Sequence, residues 1–125
     1  WSLVYPSIED VKLLVSTVLY ADIVVNVGST MAFDFAMFNK PCVFINYDQE
    51  SKKNKEWSVK TIYQFQHFKS MPNQESVIWL NSKAEIRDKL LSNNQVAPFM
   101  QLWKAIVIGD CKEVSKKIRK TLQLK

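Results

Sequence analysis

The chain has 125 residues, of which 47% are hydrophobic and 12% aromatic, and it carries a formal net charge of +5. This length and apolar content allow one buried core, which excludes a chain that is disordered over most of its length. No apolar run approaches the roughly 20 residues of a membrane-spanning helix, because Asp22 and Asp34 interrupt the best candidate. We therefore expect a single domain over residues 1–125.

The predicted elements alternate between strand and helix along the chain. Ser7 and Asp10 form a capping-box-like helix start, and Asn39 with Pro41 ends a later helix. The apolar run DIVVNV is too short for a helix and is typical of a strand buried in a parallel sheet. The predicted order is a strand over 1–5, a helix over 8–20, a strand over 22–27, a helix over 31–38, a strand over 42–47, a long loop over 48–73 with a helix around 56–66, a strand over 76–80, a helix that begins after Ser82, and two closing helices over 97–107 and 111–123.

This alternation favours right-handed crossovers between parallel strands. It predicts an α/β chain with a Rossmann-like, three-layer α/β/α fold and a mostly parallel sheet of about four strands. Ligands of such sheets bind beyond the carboxyl ends of the strands. One such end is followed by Gly28, Ser29 and Thr30, which we call the elbow.

The elbow has the composition of an anion site. The N–H groups of Thr30, Met31 and Ala32 open a helix, where unpaired amides and the helix dipole favour negative charge. The hydroxyls of Ser29 and Thr30 stand beside them, and Gly28 lets the backbone come close to a ligand. A diphosphate is the natural ligand of this arrangement; the alternative is that Ser29 merely caps its own helix.

Asp34 lies one turn into the helix that follows the elbow, among alanine, methionine and phenylalanine residues. A carboxylate is costly to bury there without a partner. We expect it either to meet a partner or to face the ligand cleft, where it would accept both hydroxyls of a ribose. The alternative is an acid exposed on the solvent side of the helix.

The segment YADIVVNVGSTMAFDFAMFNKPCVFINYD, residues 20–48, resembles the donor-binding half of the C-terminal domain of a GT-B-type glycosyltransferase. It is most similar to the branch with bacterial surface-carbohydrate transferases and CDP-glycerol polyol phosphotransferases. Weaker similarity extends through VIWLNSKAEIRDKLL, residues 77–91. The residues that match the pattern of this branch are Asp22, Ser29, Thr30, Asp34, Lys40, Pro41, Tyr47 and Asp48.

The resemblance implies a nucleotide-diphosphate-sugar donor, with its diphosphate at the helix start formed by residues 28–31 and its ribose at Asp34. No metal is implied, because in this fold the helix N-terminus offsets the charge of the leaving diphosphate. A missing N-terminal Rossmann-like domain would carry the catalytic base, so the fragment alone is expected to bind but not to turn over. The catalytic residues therefore cannot be named.

Two further residues are candidates for contact with the base or the diphosphate. Asp48 follows a predicted strand end, and His67, in YQFQHFKSM, has a counterpart in related transferases by the same resemblance. The alternative for His67 is a structural histidine among aromatic residues. The aromatic residues of this region either stack on a base or pack in the core; they are Trp57, Tyr63, Phe65 and Phe68.

Our first hypothesis is a domain that binds the nucleotide-sugar donor for synthesis of a bacterial surface polysaccharide or glycolipid. The elbow is nearer to that of the sugar transferases than to the Asp-Tyr-Ser-Ser elbow of the polyol phosphotransferases. A polyol-phosphate transferase domain is nevertheless an alternative. A third hypothesis is a non-catalytic α/β binding or scaffold module.

Location and partners follow from charge and cysteine content. The chain begins at Trp1 without a signal peptide, as expected for a fragment of a longer protein, and Cys42 and Cys111 lack disulfide or zinc spacing. We expect a cytoplasmic protein with reduced thiols. The basic segments 52–55 and 112–125 favour peripheral contact with the inner face of the membrane, or else form solvated surface. Nucleic acid is not an expected partner, since the C-terminal basic residues lack interleaved aromatic ones.

Overall fold

The structure is a computed structural model that describes residues 5–51, 56–91 and 95–109, together with positions 113, 116 and 120. The helices are α1 (Ile8–Tyr20), α2 (Met31–Met37), α3 (Val59–Ile62), α4 (Gln66–Lys69), α5 (Ile86–Leu91) and α6 (Met100–Ile108). The strands are β1 (Val24–Asn26), β2 (Cys42–Ile45) and β3 (Ile78–Leu80). Short 3-10 turns, Gln74–Ser76 and Lys83–Glu85, precede β3 and α5.

The three strands form a small open sheet in the order β1-β2-β3, and both pairs are parallel. Asn26 of β1 lies beside Phe44 of β2, which lies beside Trp79 of β3. The predicted parallel α/β arrangement is therefore confirmed, and the order is compatible with a Rossmann-like layout. The predicted strand over 1–5 lies outside the described residues except for Tyr5, which is in no strand, so a fourth strand stays a prediction.

Helix α1 begins and ends where the sequence predicts. Ser7 Oγ accepts the N–H of Asp10 at 3.1 Å, and Asp10 Oδ2 accepts the N–H of Ser7 at 2.8 Å. The hydrogen bonds that the Asp10 carboxylate accepts from the Ser7 N–H, first, and from the Ser7 hydroxyl lower the pKa of Asp10. At the other end, Lys40 Nζ donates to the carbonyls of Leu19 and Ala21 at 2.5 and 2.6 Å. Lys40 thus places a positive charge at the C-terminal end of the α1 dipole.

The segment between β2 and β3 contains two short helices, α3 and α4, where the sequence predicts one helix around 56–66. Ser58 Oγ accepts the N–H of Lys60 at the start of α3, and the extended backbone of Phe65 separates the two helices. The break lets aromatic side chains of both helices reach the sheet. Tyr63 and Phe68 lie with their ring centroids 5.6 and 5.7 Å from that of Phe44.

The core lies on the side of β2 that faces α2 and α6. Trp103 of α6 is fully buried and meets the rings of Phe33, Phe44 and Phe68 at centroid distances of 4.8, 6.1 and 6.1 Å. The opposite side of β2 is also covered, because Val43 is fully buried. The central strand is thus buried on both faces, which holds the carboxyl ends of the strands in fixed positions.

The closing part of the chain is only partly described. Helix α6 begins three residues later than predicted, at Met100, after a turn at 98–99. The helix predicted over 111–123 and the basic segment 52–55 lie almost wholly outside the described residues, so contact with a membrane surface stays a prediction. Within the described ranges, no helix combines the length and the apolar character needed to cross a bilayer.

Candidate functional site at the carboxyl edge of the sheet

The elbow follows the carboxyl end of β1, as predicted, and α3 and α4 lie against it. Gly28 has a φ of +59°, in the left-handed region. A Cβ atom built on Gly28 would lie 2.6 Å from Ile62 Cγ2 and 3.1 Å from Phe68 Cε2. The sequence predicts that Gly28 lets the backbone approach a ligand. In the structure, the space beside its Cα is occupied by these two side chains of the chain itself.

The amides at the start of α2 have partners within the elbow. The N–H of Ser29 donates to Asn26 Oδ1 at 2.9 Å, and the N–H of Met31 donates to Ser29 Oγ at 3.2 Å. The N–H of Ala32 donates to the Ser29 carbonyl at 3.2 Å. Of the three amides that the sequence marks as unpaired, only that of Thr30 has no acceptor among the described residues. Ser29 therefore does cap α2, while Thr30 is an exposed residue whose N–H has no acceptor among the described residues.

The hydroxyl of Tyr63 lies between the ends of β1 and β2. It donates to the Ile45 carbonyl at 2.6 Å and accepts a hydrogen bond from the N–H of Gly28. Without Tyr63, the register of the two strands would pair the Gly28 N–H directly with the Ile45 carbonyl. Burial is the main cause that raises the pKa of Tyr63, with a smaller contribution from Cys42. Tyr63 thus replaces one rung of the ladder and ties α3 to the elbow.

Asp34 lies on the outer face of α2, one turn beyond Thr30, on the face that also carries the exposed Met37. Its side chain is half-buried, and no residue in the described part of the chain forms a hydrogen bond or an ion pair with it. Burial raises the pKa of the Asp34 carboxyl. The carboxylate is therefore neither paired nor fully exposed, which leaves its acceptor atoms available to a ligand.

Asp48 and His67 both lie near the segment that covers the elbow. Asp48 Oδ1 accepts the N–H of Val59 at 2.8 Å, so Asp48 holds the first residue of α3 at the carboxyl end of β2. His67 is half-buried, with its ring centroid 4.0 Å from that of Phe68 and 6.3 Å from that of Phe65. These contacts give both residues a structural part. Their contact with a base or a diphosphate stays a prediction.

The aromatic residues divide between the core and the surface. Tyr63 and Phe68 pack against Phe44, whereas Trp57 and Phe65 are exposed. Stacking of a base on Trp57 or Phe65 stays a prediction.

Cys42 and the other potential metal ligands do not form a metal site within the described ranges. No group of three or more histidine, cysteine, aspartate or glutamate side chains there is arranged to hold an ion. Burial raises the pKa of the Cys42 thiol to about 12, although the hydrogen bond from Asn26 Nδ2 opposes the shift. The thiol is therefore protonated at neutral pH and is a packing group rather than a nucleophile.

The sequence reasoning missed the contacts of two residues of the site, Asn26 and Tyr63. The contact of Asn26 with the Ser29 amide spans three residues and is typical of asparagine at a turn, so the sequence carried a signal for it. The contacts of Tyr63 with Ile45 and Gly28 have no local signal, because the partners are distant in the sequence.

Replacement of Asp34 by asparagine is expected to change the pH dependence of stability. Because its pKa is raised in the folded state, the folded chain binds more protons than the unfolded chain just above the ordinary pKa of 3.8. The contribution of Asp34 to the free energy of unfolding therefore falls as the pH rises through this window, and Asp34→Asn should remove that fall. Urea unfolding of both proteins from about pH 3 to about pH 8 measures it.

The exposed Asp22 provides the control, because Asp22→Asn should leave the fall in place. Equal pH slopes for the wild-type chain and Asp34→Asn would contradict the assignment of a half-buried, unpaired carboxylate at position 34.

No protein-family model matches the chain, and comparisons with curated proteins and with solved structures also found no match. The resemblance to GT-B-type glycosyltransferases therefore stays a prediction from residues 20–48 and 77–91.

Proposed function

We propose that the chain is the donor-binding part of a GT-B-type glycosyltransferase. It would hold a nucleotide-diphosphate sugar at the carboxyl edge of the sheet, for transfer of the sugar to a surface polysaccharide or glycolipid. The catalytic base would come from another domain of a longer protein. The observation that carries the proposal is Asp34, a half-buried carboxylate without a partner among the described residues, one helical turn from the exposed Thr30.

The spacing of these two residues supports a nucleotide ligand. Positions four apart on a helix lie side by side, with roughly 5–6 Å between their Cβ atoms. Thr30 offers an N–H and a hydroxyl, which suit a phosphate oxygen, and the Asp34 carboxylate accepts hydrogen bonds from two neighbouring hydroxyls. A nucleoside diphosphate carries these two kinds of group on either side of its C5′ carbon. Thr30 would thus bind the diphosphate and Asp34 the ribose.

Burial of the Asp34 carboxyl also supports a functional role. A carboxylate that is partly removed from water without a partner opposes folding, as its raised pKa indicates. Groups whose pKa is shifted by burial cluster at functional sites. A ribose diol would supply the hydrogen bonds that the carboxylate lacks among the described residues.

Thr30→Ala tests the proposal with little structural cost, because the Thr30 side chain makes no capping hydrogen bond. We expect the affinity for UDP or GDP and their sugar conjugates to fall about tenfold or more, the loss typical of one charge-assisted hydrogen bond. The double change Ser29→Ala and Thr30→Ala should weaken binding further. It also removes the cap of Met31, so it must be measured well below the unfolding temperature.

The measurement is ligand-observed NMR with UDP, GDP and CDP, in parallel with Asp34→Asn and the exposed control Ser16→Ala. Asp34→Asn should reduce the preference for a ribonucleotide over its 2′-deoxy form, while Ser16→Ala changes nothing. Binding of all three nucleotides that is unaffected by Thr30→Ala would overturn the diphosphate site.

The internal hydrogen bonds of the elbow favour a second candidate, a non-catalytic α/β binding or scaffold module. Ser29 Oγ and Asn26 Oδ1 already accept elbow amides, as a purely structural cap would. The same nucleotide panel separates the candidates. A response to none of the three nucleotides supports the scaffold module, and a preference for CDP supports a polyol-phosphate transferase.

A further inference from the structure

Within the described ranges, strand β3 has one edge without a partner strand. The N–H of Asn46 donates to the Leu80 carbonyl at 2.8 Å, so Leu80, and with it Ile78, directs its main-chain groups toward β2. Trp79 lies between them and therefore directs its N–H and C=O away from the sheet. No strand pairs with that side among the described residues.

The next outward N–H, that of Asn81, is already occupied. It donates to Glu85 Oε2 at 3.1 Å, which closes the carboxyl end of this edge. The indole Nε1 of Trp79 donates to the Gln74 carbonyl at 2.8 Å, which fixes the ring beside the strand. The edge therefore presents one open pair of main-chain groups, on Trp79, between a closed end and a fixed aromatic ring.

A cavity of about 490 Å³ runs along this edge. Residues 77–79 line one side, and the stretch 95–98 lines the other. No residue of β2 contributes to it, as expected for a space on the outer side of β3. Pro98 has no N–H, which limits the ability of the 95–98 stretch to form a ladder with β3 itself. The volume lies within the range of about 300–1,000 Å³ that is typical of ligand clefts.

Charge at the cavity favours an acidic occupant. Lys89 lines it, is half-buried, and has no acidic partner within the described ranges. Glu75 also lines the cavity but is exposed, so its charge is better screened by water. The chain as a whole carries a net charge of +5, which disfavours a second copy as the occupant.

We propose that an extended peptide with acidic side chains binds in this cavity as an added strand beside β3. Its main chain would exchange hydrogen bonds with Trp79, and a carboxylate would meet Lys89. Apolar side chains would lie against Val96, which is half-buried. Main-chain pairing gives affinity in such strand addition, and the side-chain contacts give specificity. The inference does not depend on nucleotide binding at the elbow.

The test is fluorescence anisotropy of a labelled, end-blocked peptide Val-Glu-Val-Glu-Val with the full 125-residue chain. Two further peptides carry N-methyl groups, one on the central valine and the other on both glutamates. Alternate amides of a strand point to opposite edges, so one methylated peptide should lose affinity about fivefold or more while the other binds almost as the parent does.

Lys89→Glu should weaken binding of the parent peptide by a similar factor. Lys89→Gln serves as a second variant if the first fails to fold. Lys83→Glu, at an exposed lysine of the preceding turn, should change the affinity for the parent peptide less than about twofold. The peptide Val-Lys-Val-Lys-Val should bind more weakly than the parent.

Three results would overturn the proposal. The first is no binding of the parent peptide up to about 1 mM, and Lys89 would then be a charge that protects the edge from pairing. The second is equal binding of the parent peptide and both methylated peptides. The third is equal binding of the parent peptide to the wild-type chain and to the Lys89 variants.

Discussion

Replacement of Gly28 by alanine is expected to lower the free energy of unfolding by about 2 to 5 kcal/mol. The φ of +59° costs an alanine about 1–2 kcal/mol relative to the right-handed region. The added methyl group would also lie 2.6 Å from Ile62 Cγ2, and overpacking of this kind costs about 1–3 kcal/mol more. Urea unfolding followed by circular dichroism measures the sum.

Two controls separate the contributions. Gly109 also has a positive φ, of +65°, but no described residue beyond its chain neighbours has an atom within 4 Å of a Cβ built on it, so Gly109→Ala should show backbone strain without overlap. Ile62→Leu removes Cγ2, and combining it with Gly28→Ala should restore part of the lost stability. A loss no larger than the backbone strain of about 1–2 kcal/mol would show that α3 does not lie against the elbow.

Replacement of Trp103 by alanine is expected to lower the free energy of unfolding by about 3–5 kcal/mol. The side chain is fully buried and meets three other aromatic rings, so alanine would leave a large cavity at the centre of the core. Its Nε1 also donates to Ser70 Oγ at 3.1 Å, and this hydrogen bond would be lost. Thermal and urea unfolding measure the change.

Leu102 is the matched control on the same helix, since it is 50% exposed and Leu102→Ala should cost far less. Trp103→Phe keeps an aromatic ring without the indole N–H and should have an intermediate effect. Similar losses for Leu102→Ala and Trp103→Ala would mean that α6 packs with another face toward the sheet.

These two stability predictions bear on the candidate site, because Phe68 connects Trp103 with the elbow. Its ring packs on Trp103 and also lies 3.1 Å from the position of a Cβ on Gly28. A change at Trp103 should therefore loosen the segment that covers the elbow as well as the core. Phe68 thus gives a core residue an indirect influence on the proposed nucleotide site.

Local sequence patterns predicted the parts of the fold that depend on near neighbours. The bounds of α1 follow from its apolar periodicity and from the Ser7 and Asp10 capping box, whose two hydrogen bonds are present. Asn39 has the left-handed φ of 55° that its place before Lys40 and Pro41 predicts. The parallel pairing followed from apolar runs that alternate with helices. The cap and turn signals act within about one or two helical turns, whereas the pairing signal comes from the alternation of whole elements.

The position of the elbow at the carboxyl end of β1 was likewise predictable, but the state of its amides was not. The sequence marks three amides as unpaired. In the structure, the amides of Met31 and Ala32 donate to Ser29, which agrees with the capping alternative. The N–H of Thr30 is the one of the three without an acceptor among the described residues. The sequence could name Ser29 either as a ligand group or as a cap, since both need the same hydroxyl at the same place.

The sequence by itself thus determined the alternation of strands and helices around β1, β2 and β3, the cap of α1, the left-handed turn at Asn39, and the residues that stand at the carboxyl edge. Only the tertiary structure decided that α3 and α4 cover Gly28, that Tyr63 occupies a rung between β1 and β2, and that Asp34 is half-buried without a partner among the described residues. The physical reason is the range of the interactions. Caps and periodicity arise between residues a few positions apart, whereas the packing of Ile62 on Gly28 depends on how separate elements fill space around Phe44.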